Sequence, residues 1–176
     1  ADISDLKMTI VTNDPTKRYY YTLLFDDKYR VKIATRNINI PGVQNFRDLG
    51  GYPSYSTKKQ MRWGMIYRSA EIDSLECSSR RELKNLGIKT LIDLRASSEI
   101  GRQSPLQKGF NVVHIPLATG DMEGILKGIR EEKIKSDTVY RMVERMNRIL
   151  IDQYTKEYRQ IFDILLDKNS YPVVIH

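Results

Sequence analysis

A single cysteine, Cys77, stands in a chain of 176 residues, so no disulfide can close within the fold. That leaves the compartment open, because many exported proteins carry no disulfide. No apolar run approaches the roughly eighteen residues that a bilayer-spanning helix needs. Tandem repeats and low-complexity tracts are missing, which argues against a solenoid or an array. The basic residues are not gathered into one block, and no nucleic-acid fold signature is found, so no nucleic-acid partner is expected.

What is present is an ordinary globular composition with a basic balance. Hydrophobic residues make up 40% and charged residues 29%, and the length suits one domain with a real core. The 29 Lys and Arg against 22 Asp and Glu leave a formal net charge of +7. Such a balance favours anionic partners, phosphorylated ligands among them, although a solvated basic surface accounts for it equally.

Residues 1–40 read as a β-rich extension. Arg18–Phe25 and Tyr29–Ala34 are β-prone, and Asp26, Asp27 and Lys28 between them form a turn, so a hairpin is expected. Three consecutive tyrosines, Tyr19 to Tyr21, cannot share one face of a strand, which predicts a hairpin partly covered on both sides. An added structural sheet is one use for it and an aromatic ligand platform another.

Pro41–Gly42 opens a second segment, 41–176. Its first part, GVQNFRDLGGYPS, has loop chemistry. Met61–Arg68 is a candidate strand. Ser79 and Glu82 have capping-box spacing ahead of a helix that closes at Gly87. Apolar strands follow at Thr90–Leu94 and in NVVHIPL, Asn111–Leu117. From Asp121 to Lys168 the pattern is helical. Val139, Met142, Val143, Met146, Ile149 and Leu150 recur at spacings of three and four. After a break near Asp152, Tyr154, Tyr158, Ile161, Phe162 and Leu165 do the same, and both stripes read as core-facing. A turn at Asp167–Ser170 leads into the strand YPVVI. Helix, glycine, then buried strand is the rhythm of an α/β domain.

Polar residues gather at the carboxyl ends of these strands, where open α/β sheets bind ligands. LIDLR brings Asp93 and Arg95, VVHIPL brings His114 and a loop reaching Asp121, and YPVVIH brings His176. Taken singly, His114 reads as a satisfied core or edge histidine, and Asp93 as a loop brace.

NFRDLGG at Asn45–Gly51 resembles the signature of an atypical family of protein tyrosine and dual-specificity phosphatases, some of which act on phosphoinositides. RWGMIYRSA at Arg62–Ala70, LKNLGIKTLIDLRASSE at Leu83–Glu99 and YPVVIH follow in the family's order, so the resemblance runs over residues 41–176. It implies an α/β fold with a central, mainly parallel sheet flanked by helices. The amino-terminal hairpin is similar to an elaboration of exported bacterial members, so an exported or periplasmic location is the expectation over a cytoplasmic one.

The resemblance also implies a chemistry: hydrolysis of a phosphorylated protein or a phosphoinositide through a phosphocysteine, with no cofactor and no metal. The nucleophilic cysteine would follow His176 directly and open a loop of cysteine, five residues and arginine. Both therefore belong to a carboxy-terminal segment that completes the domain, and residues 1–176 alone are expected to be inactive. Cys77 lies elsewhere in the pattern and does not substitute. His176 is expected to hold the loop and tune the cysteine. Arg47 and Asp48 would brace the loop, and Arg95 would support it or touch substrate. Asp121 is one candidate for the general acid, and an aspartate inside the loop beyond His176 is the other. A non-catalytic phosphoresidue-binding or scaffold protein remains the alternative function.

Overall fold

A computed structural model describes residues 9–12, 17–72, 75–100, 109–118, 122–131, 133–134 and 136–176. The chain divides into two compact units, Ala1–Thr35 and Arg36–His176.

The first unit holds the hairpin. Strand β1, Tyr21–Phe25, pairs antiparallel with β2, Tyr29–Ile33. Asp26 and Asp27 reverse the chain with φ of 50° and 52°, a left-handed conformation that aspartate tolerates better than most residues, and the Lys28 N–H donates to the Phe25 carbonyl at 3.0 Å. The register stacks Tyr21, Leu23 and Phe25 beside Ile33, Val31 and Tyr29 on one face. Among the described residues Tyr19 and Tyr21 are half-buried, whereas Tyr20, Leu23, Leu24, Phe25, Tyr29 and Ile33 are exposed, so the partial cover expected for the tyrosine strand does not extend along the hairpin.

The second unit is built on a five-stranded sheet. Its strands are β3 (Arg47–Asp48), β4 (Ile66–Arg68), β5 (Thr90–Asp93), β6 (Asn111–His114) and β7 (Val173–Ile175), in spatial order β3-β4-β7-β5-β6. β3 runs antiparallel to β4, and all other neighbours are parallel, as expected for a mainly parallel sheet. Residues 36–40 belong to this unit. The Arg36 carbonyl accepts from the Asp48 N–H, Ile38 donates to the Phe46 carbonyl, and Ile40 is buried.

The sheet is covered on both faces, which is why its central strands are apolar throughout. On one side Leu91, Val174 and Tyr67 pack with Phe46, Ile72, Ile88 and Leu83, the last from helix α1, Cys77–Asn85. On the other, Ile92, Val173 and Ile115 pack with Ile161. Ile161 belongs to α4, Thr155–Leu166, which follows α2 (Met122–Arg130) and α3 (Ser136–Gln153).

Several local expectations are corrected. Only Ile66–Arg68 of the 61–68 run is strand, because residues 63–65 are taken up by a turn. α1 begins two residues before Ser79, with Glu76 at its N-cap and no side-chain cap. Ser79 lies inside the helix and donates its hydroxyl to the Pro41 carbonyl at 2.5 Å, so a tertiary bond replaces the capping box. The C-terminus is as read. Gly87, at φ 74°, donates to the Lys84 carbonyl while Ile88 donates to that of Leu83, a Schellman closure. The stripe of α3 is only half-buried and Val143 is exposed. In α4 Ile161 is buried but Phe162 faces solvent. The break falls at Tyr154, whose hydroxyl donates to the Ala118 carbonyl at 2.7 Å.

Candidate functional site

NFRDLGG folds around a carboxylate. Asp48 is fully buried; its Oδ1 accepts the Gly50 N–H at 2.7 Å and its Oδ2 the Gly64 N–H at 2.8 Å. One side chain thus ties the loop after β3 to the turn before β4. Glycine is required beside it. A Cβ on Gly50 would lie 2.4 Å from the Trp63 Cα, and one on Gly51, at φ 78°, 2.4 Å from the indole ring. The Arg36 guanidinium stacks over Tyr52 at 4.0 Å and lies 5.2 Å from the Trp63 ring, and it donates to the Asp48 carbonyl at 2.8 Å. Arg47, between buried Phe46 and Asp48, is half-buried, and its Nε is enclosed without an acceptor.

DLR folds back on itself. Arg95 binds Asp93 through Nε to Oδ1 at 3.0 Å and Nη2 to Oδ2 at 2.9 Å, and its backbone N–H adds a third bond to Oδ1 at 3.0 Å. Both residues are buried. Burial is the largest influence on Asp93 and works to raise its pKa. The Arg95 hydrogen bonds and the positive charge nearby outweigh it, and the carboxyl sits below its usual value. Glu99 closes the turn that follows by accepting the Ala96 N–H at 2.7 Å.

YPVVIH places His176 between these groups. β7 lies between β4 and β5. The His176 N–H donates to the Ile92 carbonyl, and the His176 carbonyl accepts the Leu94 N–H at 2.7 Å. The imidazole is fully enclosed, with Nδ1 4.0 Å from Asp93 Oδ1. Nδ1 accepts the Ile72 N–H at 3.3 Å, so the ring proton resides on Nε2, which has no partner. Burial drives its pKa down to about 4 against the attraction of Asp93, so the ring is neutral near pH 7. A neutral imidazole whose Nδ1 is occupied is suited to orient its neighbours rather than to take up a proton.

Asp93, Arg95 and His176 therefore meet at the carboxyl ends of β5 and β7, and Asp48 with Arg47 occupies the flank beside β4. His114 stays apart, exposed, with Nε2 donating to the Arg95 carbonyl at 2.8 Å. Asp121 lies outside the described residues. Cys77 is exposed as the first residue of α1. Sequence reasoning missed Ser69, whose Oγ is buried without a partner while its N–H donates to the Ile175 carbonyl at 3.1 Å. The RSA triplet was the available signal. It also missed the Ile72 N–H, since a backbone contact has no residue signature. Among the described residues no cluster of His, Cys, Asp or Glu is arranged to hold a metal ion, and no helix is long and apolar enough to cross a membrane.

A mainly parallel α/β sheet whose neighbouring strands β5 and β7 gather buried polar groups at their carboxyl ends is a frame that binds ligands there. Residues 38–176 match the tyrosine phosphatase family, and the chain belongs to it. The chain is also 38% identical over 79 residues to the triple specificity protein phosphatase PtpB of Mycobacterium tuberculosis. That match covers 44% of this chain and 27% of the relative, so the chain spans about a quarter of the length of the curated protein it matches.

Proposed function

We propose that the complete polypeptide is a phosphatase that hydrolyses phosphorylated proteins through a phosphocysteine. The observation that carries this reading is the end of β7: a central parallel strand closing on a buried, neutral His176, flanked by the Asp93–Arg95 pair. The nucleophile is a cysteine at position 177, and an arginine six positions later clamps the phosphate.

The substrate phosphate carries about two negative charges. It is met by backbone N–H groups at a helix N-terminus and by a bidentate arginine. That positive field favours the thiolate, which attacks phosphorus. The S–P bond forms as the P–O bond breaks, and the general acid protonates the leaving oxygen. Water, giving up its proton to the resulting carboxylate, then attacks phosphorus and restores the thiolate, releasing inorganic phosphate. Asp121 is one source of the acid, and an aspartate within the loop is the other. His176 positions the first residues of that loop, Arg95 holds Asp93 beside it, and Asp48 and Arg47 brace it from β3.

The test is the identity of position 177 and the behaviour of the complete polypeptide. Peptide mapping across His176 is expected to return cysteine there and arginine six residues on. Hydrolysis of a small aryl phosphate is expected to persist with a chelator and to vanish when that cysteine becomes serine. Any other residue at 177 overturns the reading in favour of a binding or scaffold protein.

A further inference from the structure

Arg47 and Arg68 stand directly opposite each other in the β3–β4 pair. Directly opposed residues of an antiparallel pair share a face, and like charges there repel. Their chain neighbours Phe46, Asp48, Tyr67 and Ser69 are all buried. By strand alternation both arginines occupy the other face, which is that of Ile175, the register partner of Arg68. Neither guanidinium meets a carboxylate among the described residues. Arg68 is exposed, while Arg47 is half-buried with Nε enclosed and unbonded. An arrangement that brings two cations together without a counter-charge is costly in isolation and favourable once an oxyanion lies between them.

We infer that Arg47 and Arg68 form an anion subsite beside the catalytic centre, which takes a second oxyanion, a carboxylate or a phosphate, of a phosphopeptide substrate. The inference rests on the phosphatase reading. Neighbouring strands lie about 5 Å apart, so Arg68 begins about 5 Å and Arg47 about 10 Å to the side of the strand that ends in His176. An extended peptide advances about 3.5 Å per residue, which places the second anion one to three residues from the phosphorylated one.

The experiment uses the complete polypeptide and three phosphotyrosine peptides that differ at one neighbouring residue: alanine, aspartate or a non-hydrolysable phosphonate. The wild-type KM is expected to be about tenfold lower for both acidic peptides than for the alanine peptide. If only one acidic peptide gains, that one identifies the anion. Arg68→Glu is expected to abolish or invert the ratio between peptides, and Arg68→Lys to retain part of it. Equal KM values for all three peptides in the wild type, or a ratio that Arg68→Glu leaves unchanged, overturn the subsite. If no peptide is hydrolysed, the phosphatase reading fails separately, and fluorescence polarisation of the same peptides decides the subsite. About tenfold weaker binding of the acidic peptides to Arg68→Glu then supports it, and equal binding removes it.

Discussion

The amide of Ile72 donates to Nδ1 of His176 at 3.3 Å, joining residues 104 positions apart. This bond fixes the imidazole tautomer from the segment after β4, with β7 supplying the ring. Burial and this bond both favour the neutral form, which has a thermodynamic consequence. The folded pKa is about 4 against an ordinary 6.5. Between those values the unfolded chain binds a proton that the folded one refuses, so stability is full above pH 6.5 and falls as pH drops toward 4. The loss from this group amounts to at most about 3 kcal/mol. Asp93, depressed in the fold, extends the loss to lower pH. Denaturant unfolding at a series of pH values is expected to show this slope, and His176→Gln to flatten it between 4 and 6.5. A variant with the wild-type slope would place the acid sensitivity elsewhere.

Removing Arg95 strands a buried carboxylate. Burial pushes the Asp93 pKa up, and the Arg95 hydrogen bonds, with smaller charge interactions from His176 and Arg95, hold it low. Arg95→Ala is expected to cost about 3–5 kcal/mol near pH 7, the range for breaking one side of a buried pair. Asp93→Asn added to it is expected to recover part of that loss, because no charge is then left unpaired. Urea melts of the two variants check this, and equal stabilities would mean that Asp93 finds another partner.

Gly50 is held by sterics rather than by chemistry. A methyl group there meets the Trp63 backbone at 2.4 Å, which no rotamer change relieves. Gly50→Ala is expected to destabilise by about 1–3 kcal/mol, visible as a drop in Tm. Gly42, whose added Cβ would meet nothing within 4 Å, serves as the control that carries backbone strain alone, at φ 70°.

Arg47 should separate function from folding. Its enclosed Nε has no acceptor, so Arg47→Ala removes an unsatisfied donor along with any packing of the stem. Little change in Tm is expected. Turnover of a small aryl phosphate by the complete polypeptide is expected to fall about ten- to a hundredfold, the scale seen when supporting residues around metal sites are cut. Wild-type turnover of this small substrate would remove the loop-bracing role of Arg47 and leave it only its place in the anion subsite.

The parallel centre of the sheet was legible because its strands are short apolar runs, and the Gly87 closure because a left-handed C′ position selects glycine. Legibility stopped where tertiary context decides. Ser79 has the spacing of a cap but spends its hydroxyl on Pro41. The α3 stripe has helical periodicity, yet periodicity does not say what covers a face, and that face is half-buried. Asp93 and Arg95 were visible as a pair of polar residues after a strand. That they would bind each other depends on a turn whose closure by Glu99 no propensity predicts. The Ile72 contact is a backbone amide, which any residue except proline offers.

The strand order also governs how the domain assembles. β5 ends at Asp93 and β7 begins at Val173, yet β7 is the strand that separates β4 from β5. Before it inserts, β3–β4 and β5–β6 are two ribbons with no common edge, each presenting an unpaired apolar flank. Val174 enters one hydrophobic cluster and Val173 the other, so neither layer is complete without the same three residues. Folding must therefore close the long intervening helical segment before the sheet gains most of its pairing. Such a non-local order slows the rate and leaves the half-made sheet open to aggregation until the keystone strand arrives.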